Sequence, residues 1–149
     1  MRITTRGRYA LRASLALAKL GKDGSPISIN NLAEQENISS VFLEQIFFKL
    51  RKAGIVSSVR GPGGGFCFAQ PLEQLTVKKI LDASGEELNL TARDKHSENC
   101  SRIERCLSHL VWTKATELIN GFFSSITLAS ILENERFDPG SDKAGGIAS

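Results

Sequence analysis

Cysteine is scarce in this chain, with three residues in 149. So small and odd a number excludes a disulfide framework as the source of stability. No apolar run reaches the roughly 20 residues that a membrane-crossing helix needs. The opening MRITTRGRY lacks the apolar core of a signal peptide. A cytoplasmic location with no membrane partner is therefore the expectation. Histidine is scarcer still, with two residues, both in or beside one polar stretch, and no hydrolase-like Ser/His/Asp arrangement stands out. The glycine run after Arg60 lacks the lysine and following helix of a phosphate loop, and no GxGxxG occurs. The chain does not read as an enzyme.

Charge is present but uneven. Residues 1–65 hold ten Lys and Arg against four Asp and Glu, whereas residues 66–149 hold nine against twelve. A polyanion partner suits the first half and not the second.

The basic half contains the most informative stretch, ISSVFLEQIFFKLRKAGIVSSVRGPGGG, residues 38–65. Leu43, Ile46, Phe47 and Leu50 fall on one face of a helix. Ser39 or Ser40 caps its start, Arg51 and Lys52 close it with positive charge, and Gly54 takes the left-handed position beyond it. Ile55, Ser57 and Val59 alternate as a strand. A glycine-rich turn headed by Arg60 follows, and Phe66 and Phe68 resume the alternation. Upstream, Ser28 caps a short helix to about Glu36, with Asn37 as turn residue. Two helices a few residues apart, then a hairpin with a basic tip, outline a winged helix-turn-helix. In that architecture Ser40, Glu44 and Gln45 meet base edges in the major groove. Arg60 suits a minor groove, and Gly61 and Gly63 let the backbone approach phosphate. The alternative use of such a fold is protein contact.

A first helix spans residues 4–20, with Arg2, Arg6, Arg8 and Arg12 crowding its start. Positive charge there opposes the helix dipole, so a nearby negative group is expected, DNA phosphate being one candidate. Thr76 caps a fourth helix that ends at Gly85. Residues 86–105 show no sustained apolar period and read as a long polar loop. From about Cys106 to Phe123 a helix is apolar on much of its circumference: Leu107, Val111, Ala115, Leu118 and Phe122 form one stripe, widened by Leu110, Trp112, Ile119 and Phe123. So much apolar surface suggests a helix-to-helix dimer, the alternative being packing on helix one. Thr127 caps a last short helix.

Cys100-x5-Cys106-x2-His109 sets two thiols and an imidazole near the mouth of that helix, donors suited to a soft metal or an iron–sulfur cluster. Free thiols on a loop are the plain alternative. Cys67, between Phe66 and Phe68, reads as packing.

The segments MRITTRGRYAL, ISSVFLEQIFFKLRKAGIVSSVRGPGGGF, CLSHLVW and ITLASILEN resemble the IscR-like iron–sulfur cluster transcription regulators, in register over roughly residues 1–135. SVRGPGGG is the most specific part. The resemblance implies a mostly α fold with a small two-stranded wing. With the pattern along the chain, the expected division is a winged helix-turn-helix domain at 1–85, a cluster-binding loop at 86–108, dimerisation helices at 106–136 including one long helix, and a disordered tail at 137–149. It implies a homodimer on double-stranded promoter DNA, tuned in redox sensing by a cluster, here expected as 2Fe–2S; nitric-oxide-sensing relatives carry 4Fe–4S. The family spacing C-x5-C-x5-C-x2-H maps its last three ligands onto Cys100, Cys106 and His109. Its first falls on Asp94, with His96 as the alternative fourth ligand. Relatives with a carboxylate ligand take it from the start of helix one of the other subunit, where Arg8 stands here. Tyr9 and Arg60 fall in parts associated with DNA positioning, and Glu44 at a position that discriminates between promoters. Asp94 in place of cysteine motivates a second reading: a cluster-free regulator of the same fold, controlled by thiol oxidation or a protein partner. A cluster-carrying protein without DNA affinity fits the basic first half poorly.

Overall fold

The first helix, α1 (Thr5–Leu20), buries small residues: Ala10 and Ala13 are fully covered, and Leu17 nearly so. Small side chains let other helices approach closely. Thr4 caps α1, its hydroxyl accepting from the Gly7 N–H at 3.3 Å. The structure, a computed structural model, describes residues 2–90 and 107–134. The expectations for Asp94, His96, Cys100, Cys106 and the tail at 137–149 lie outside the described residues.

Helix α2 (Ile29–Glu36) starts at Ser28, whose hydroxyl accepts from Asn31 N–H at 3.1 Å. It stops where Asn37 turns left-handed, with φ 52°. Helix α3 (Ser40–Lys52) is capped by Ser39 and buries Leu43, Ile46, Phe47 and Leu50. The wing pairs β1 (Val56–Val59) with β2 (Gly65–Phe68), antiparallel, Val56 opposite Phe68 and Val59 opposite Gly65. Then come α4 (Val77–Ser84), α5 (Leu107–Ser125) and α6 (Leu128–Glu133), with Thr76 capping α4 and Thr127 capping α6.

The wing differs from the alternation read in the sequence. Ile55 lies just before the strand, Ile55 and Val56 are both buried, and Val59 is 46% exposed. The two strands differ: β1 is exposed beyond Val56, whereas β2 is half-buried along its length, with Phe66 and Phe68 packed on the core. Phe66 ties β2 down by exchanging backbone hydrogen bonds with Ile27 at 2.8 and 2.9 Å. Its ring lies 5.1 Å from that of Phe47.

Gly65 makes this junction possible. It holds φ +155°, and a Cβ there would stand 2.3 Å from the Ile27 carbonyl carbon and oxygen. Gly65→Ala should therefore cost about 3 kcal/mol through clash and backbone strain, read as a lower urea midpoint with unchanged slope.

Helix α6 returns to the N-terminal half. Leu128 is fully buried in the same core as Ala10 and Leu17. Backbone bonds join Val77 N–H to Ile126 C=O and Leu128 N–H to Leu75 C=O. Thus α6, grouped in the sequence with the dimerisation helices, packs into the domain that carries the wing.

Candidate nucleic-acid interface and its supporting contacts

Helix α3 separates its faces cleanly. Its four buried residues lie on one side, while Glu44, Gln45, Arg51 and Lys52 are exposed on the other and Ser40 is half-buried. Val41 is 63% exposed on the first turn, among these polar residues. Phe48 is 53% exposed, with the Arg51 guanidinium and the Lys52 ammonium 5.7 and 5.8 Å from its ring centre. The sequence reading gave neither Val41 nor Phe48 a role in DNA binding. An exposed apolar group on the first turn can meet a thymine methyl.

The wing is braced against α3. Arg51 donates to the Ser58 hydroxyl at 3.4 Å, and Gln70 donates to the Gly54 carbonyl at 2.9 Å. Arg60, Gly61 and Gly63 are all exposed at its tip. Cys67 lies 3.4 Å, sulfur to oxygen, from the Ser57 hydroxyl across the strand pair.

Tyr9 is half-buried, its ring edge-on to Phe42 at 5.8 Å, with the Arg12 guanidinium 5.3 Å above it. Arg12 also pairs with Glu36 at 3.0 Å. Tyr9 thus joins α1 to the start of α3, and Arg12 extends the contact to the end of α2. Ser39 caps α3 from an exposed position, and Arg2 is exposed ahead of α1.

The start of α1 has its negative partner within the chain. The Glu86 carboxylate accepts from the Thr4 N–H at 3.0 Å and from the Thr4 hydroxyl. Glu86 is only 8% exposed. A carboxylate at a helix N-terminus satisfies free N–H groups and the dipole together. A negative group beside the start of α1 is thus present within the chain itself. The stretch read as polar loop begins with packed residues: Leu88 is buried against Val77, Leu81 and Ile126.

Helix α5 has no buried residue along its 19 positions. Its inner side carries Phe123, packed on the cluster of Val77, Leu81 and Leu88. Asn120 donates to the Leu88 carbonyl at 3.3 Å, and the Thr116 hydroxyl accepts from Leu90 N–H at 3.2 Å. Its outer side exposes Leu107, Leu110, Val111, Leu118 and Phe122, and Trp112 is 50% exposed on the side that carries Phe123. His109 is half-buried in the first turn. Among the described residues no helix is long and apolar enough to cross a membrane.

A helix-turn-helix with a basic two-stranded wing, followed by a long helix with an uncovered apolar side, is a transcription-regulator architecture. The family model described as Rrf2, iron-dependent transcriptional regulator, matches residues 3–134. The chain belongs to the Rrf2 family. Within it the chain is similar to the HTH-type transcriptional regulator IscR of Serratia proteamaculans, 39% identical over 135 residues, covering 91% of this chain and 81% of the relative. Among solved structures it is similar to T. potens IscR, with TM-score 0.73 and 28% identity over 100% of this chain and 97% of that one. It is also similar to CymR, the global cysteine regulator of B. subtilis, with TM-score 0.69 and 27% identity over 93% of this chain and 99% of that one. As an IscR-like Rrf2 protein, this chain is a winged-helix transcription regulator and not an enzyme.

Proposed function

We propose that this Rrf2 protein is a homodimeric regulator whose promoter binding is tuned by an iron–sulfur cluster, of the 2Fe–2S type, in redox sensing. The supporting observation is the exposed α3-and-wing face in a chain that carries Cys/Cys/His donors at the head of an uncovered α5. Ser40, Glu44 and Gln45 face the major groove, Arg60 the minor groove. Arg2, Ser39, Arg51, Lys52, Gly61 and Gly63 meet the phosphate backbone, and Tyr9 sets the helix geometry. Chromosomal DNA as partner makes the cytoplasm the place of action.

The donor set fits a cluster. Cys100 and Cys106 supply thiolates, His109 an imidazole, and Asp94 a carboxylate as fourth ligand, with His96 as the alternative. His109 keeps part of its ring accessible in the first turn of α5, and that end of a helix favours an anionic group. A bound cluster supplies a charge and an oxidation state that respond to oxidants and to iron supply. The protein's own part is to hold the group through these side chains, of which His109 stands in the first turn of α5.

Promoter binding tests the DNA-facing assignment. Arg60→Ala should weaken binding to a selected promoter duplex about 10-fold and lower the salt slope by about one. Glu44→Ala should instead change which promoters are bound, because a glutamate rejects sites that offer no amino donor. A selection from random duplexes with both proteins reads this directly.

A second reading, the cluster-free regulator, is favoured by Asp94 in a position where the family spacing has cysteine, and by the likeness to CymR. Replacing Cys100 and Cys106 by Ala discriminates: unchanged regulated DNA binding means control by a protein partner, and lost control with no cluster present means thiol oxidation.

A further inference from the structure

The geometry points to Glu86 as a positioning residue that couples α5 to the DNA-facing start of α1. Residues 86–90 form a strap between these two helices. At one end the Glu86 carboxylate holds the Thr4 N–H and hydroxyl. At the other the Leu88 carbonyl accepts from Asn120, and Leu90 N–H donates to Thr116, both on α5. Leu88 fixes the middle by burial against α4 and Ile126.

The fit at Glu86 is specific. A Cβ on Gly7 would stand 2.6 to 2.8 Å from Glu86 Cγ, Cδ and Oε1, so the first turn of α1 is built around this side chain. The preceding Gly85 is flanked by cations: a Cβ there would meet Lys49 Nζ at 3.5 Å and Arg6 Nη1 at 4.0 Å. Arg2 and Arg6 thus stand on a turn whose position depends on the strap. On α5, Asn120 has a buried Oδ1 with no hydrogen-bond partner among the described residues, and its amide nitrogen is bonded to Leu88. Movement of α5 shifts Leu88 and Leu90, and Glu86 passes the shift to α1. That residues 91–106 supply the stimulus rests on the cluster reading above; the link itself does not.

Hydrogen exchange on the full chain tests the link without any cluster. The readout is the peptide covering residues 2–8. Glu86→Ala should speed its exchange about 10-fold, because both bonds to Thr4 are lost. Asn120→Ala, on a different helix, should speed the same peptide about 3-fold in the wild-type background and not at all in the Glu86→Ala background. Binding of a promoter duplex should follow the same pattern, weakened by Asn120→Ala only where Glu86 is present. Glu86→Asp, one methylene too short to reach Thr4, serves in place of Glu86→Ala if that variant melts early. Unchanged exchange at residues 2–8 in Asn120→Ala, or additive effects of the two substitutions, would overturn the proposal. A protein that never takes up iron would overturn the cluster reading alone.

Discussion

On the proposed homodimer, replacing Leu110 and Leu118 together by Asp should give a folded monomer and weaken promoter binding by about 100-fold or more. Both side chains are more than 60% exposed on the outer side of α5. They stand with Leu107, Val111 and Phe122, five large apolar residues on one side of the helix. Burying a side chain of this size is worth about 1.5–3 kcal/mol. Five from each of two copies exceed the several kcal/mol that association costs in lost motion. Two charges in that interface reverse the balance. Neither residue belongs to the cluster of Val77, Leu81, Leu88 and Ile126 on which α5 rests, so each protomer keeps its fold. The loss of DNA affinity follows because two linked winged helices engage two half-sites with a high effective concentration, and a monomer engages one. Sedimentation at micromolar concentration and a promoter titration read the two parts separately; circular dichroism confirms the fold.

On the proposed 2Fe–2S cluster, Cys106→Ala should abolish the visible absorption of protein purified without oxygen, and iron should fall from about two atoms per protomer to near zero. The effect is large because one thiolate is a substantial share of the donors. Cys67 sits on the wing strand beside Ser57, so Cys67→Ala should leave spectrum and iron content unchanged. Asp94→Ala should give partial occupancy and faster loss in air, since carboxylate is the hardest donor of the set. Retention of full iron by Cys106→Ala would remove this residue from the site.

The legible parts of the fold are those set by near neighbours. Ser28, Ser39, Thr76 and Thr127 each cap a helix by a bond to an N–H three residues on, so residue type and spacing reveal them. The buried face of α3 and the excess apolar surface of α5 follow from a 3.6-residue period for the same reason. Tertiary contacts were not legible. Glu86 meets Thr4 across 82 positions, and its fit depends on the missing side chain of Gly7, which no local pattern marks. In β1 the alternation of Ile55, Ser57 and Val59 does not hold, because Ile55 and Val56 are both buried while Ser57, Ser58 and Val59 are exposed. Helix α6 reads as an appendage of α5, yet Leu128 completes the N-terminal core. The outward position of Val41 and Phe48 follows from the same period that buries Leu43, Ile46, Phe47 and Leu50.

The most direct test of the account is promoter affinity with and without the cluster in one preparation. Protein purified without oxygen is divided; one half is stripped of iron by chelation, and both are titrated at the same salt with a duplex selected from a random pool. The account predicts that affinity for at least one selected promoter differs by about 10-fold or more between the halves. Equal affinity for every selected duplex, with iron counted in one half only, would contradict it.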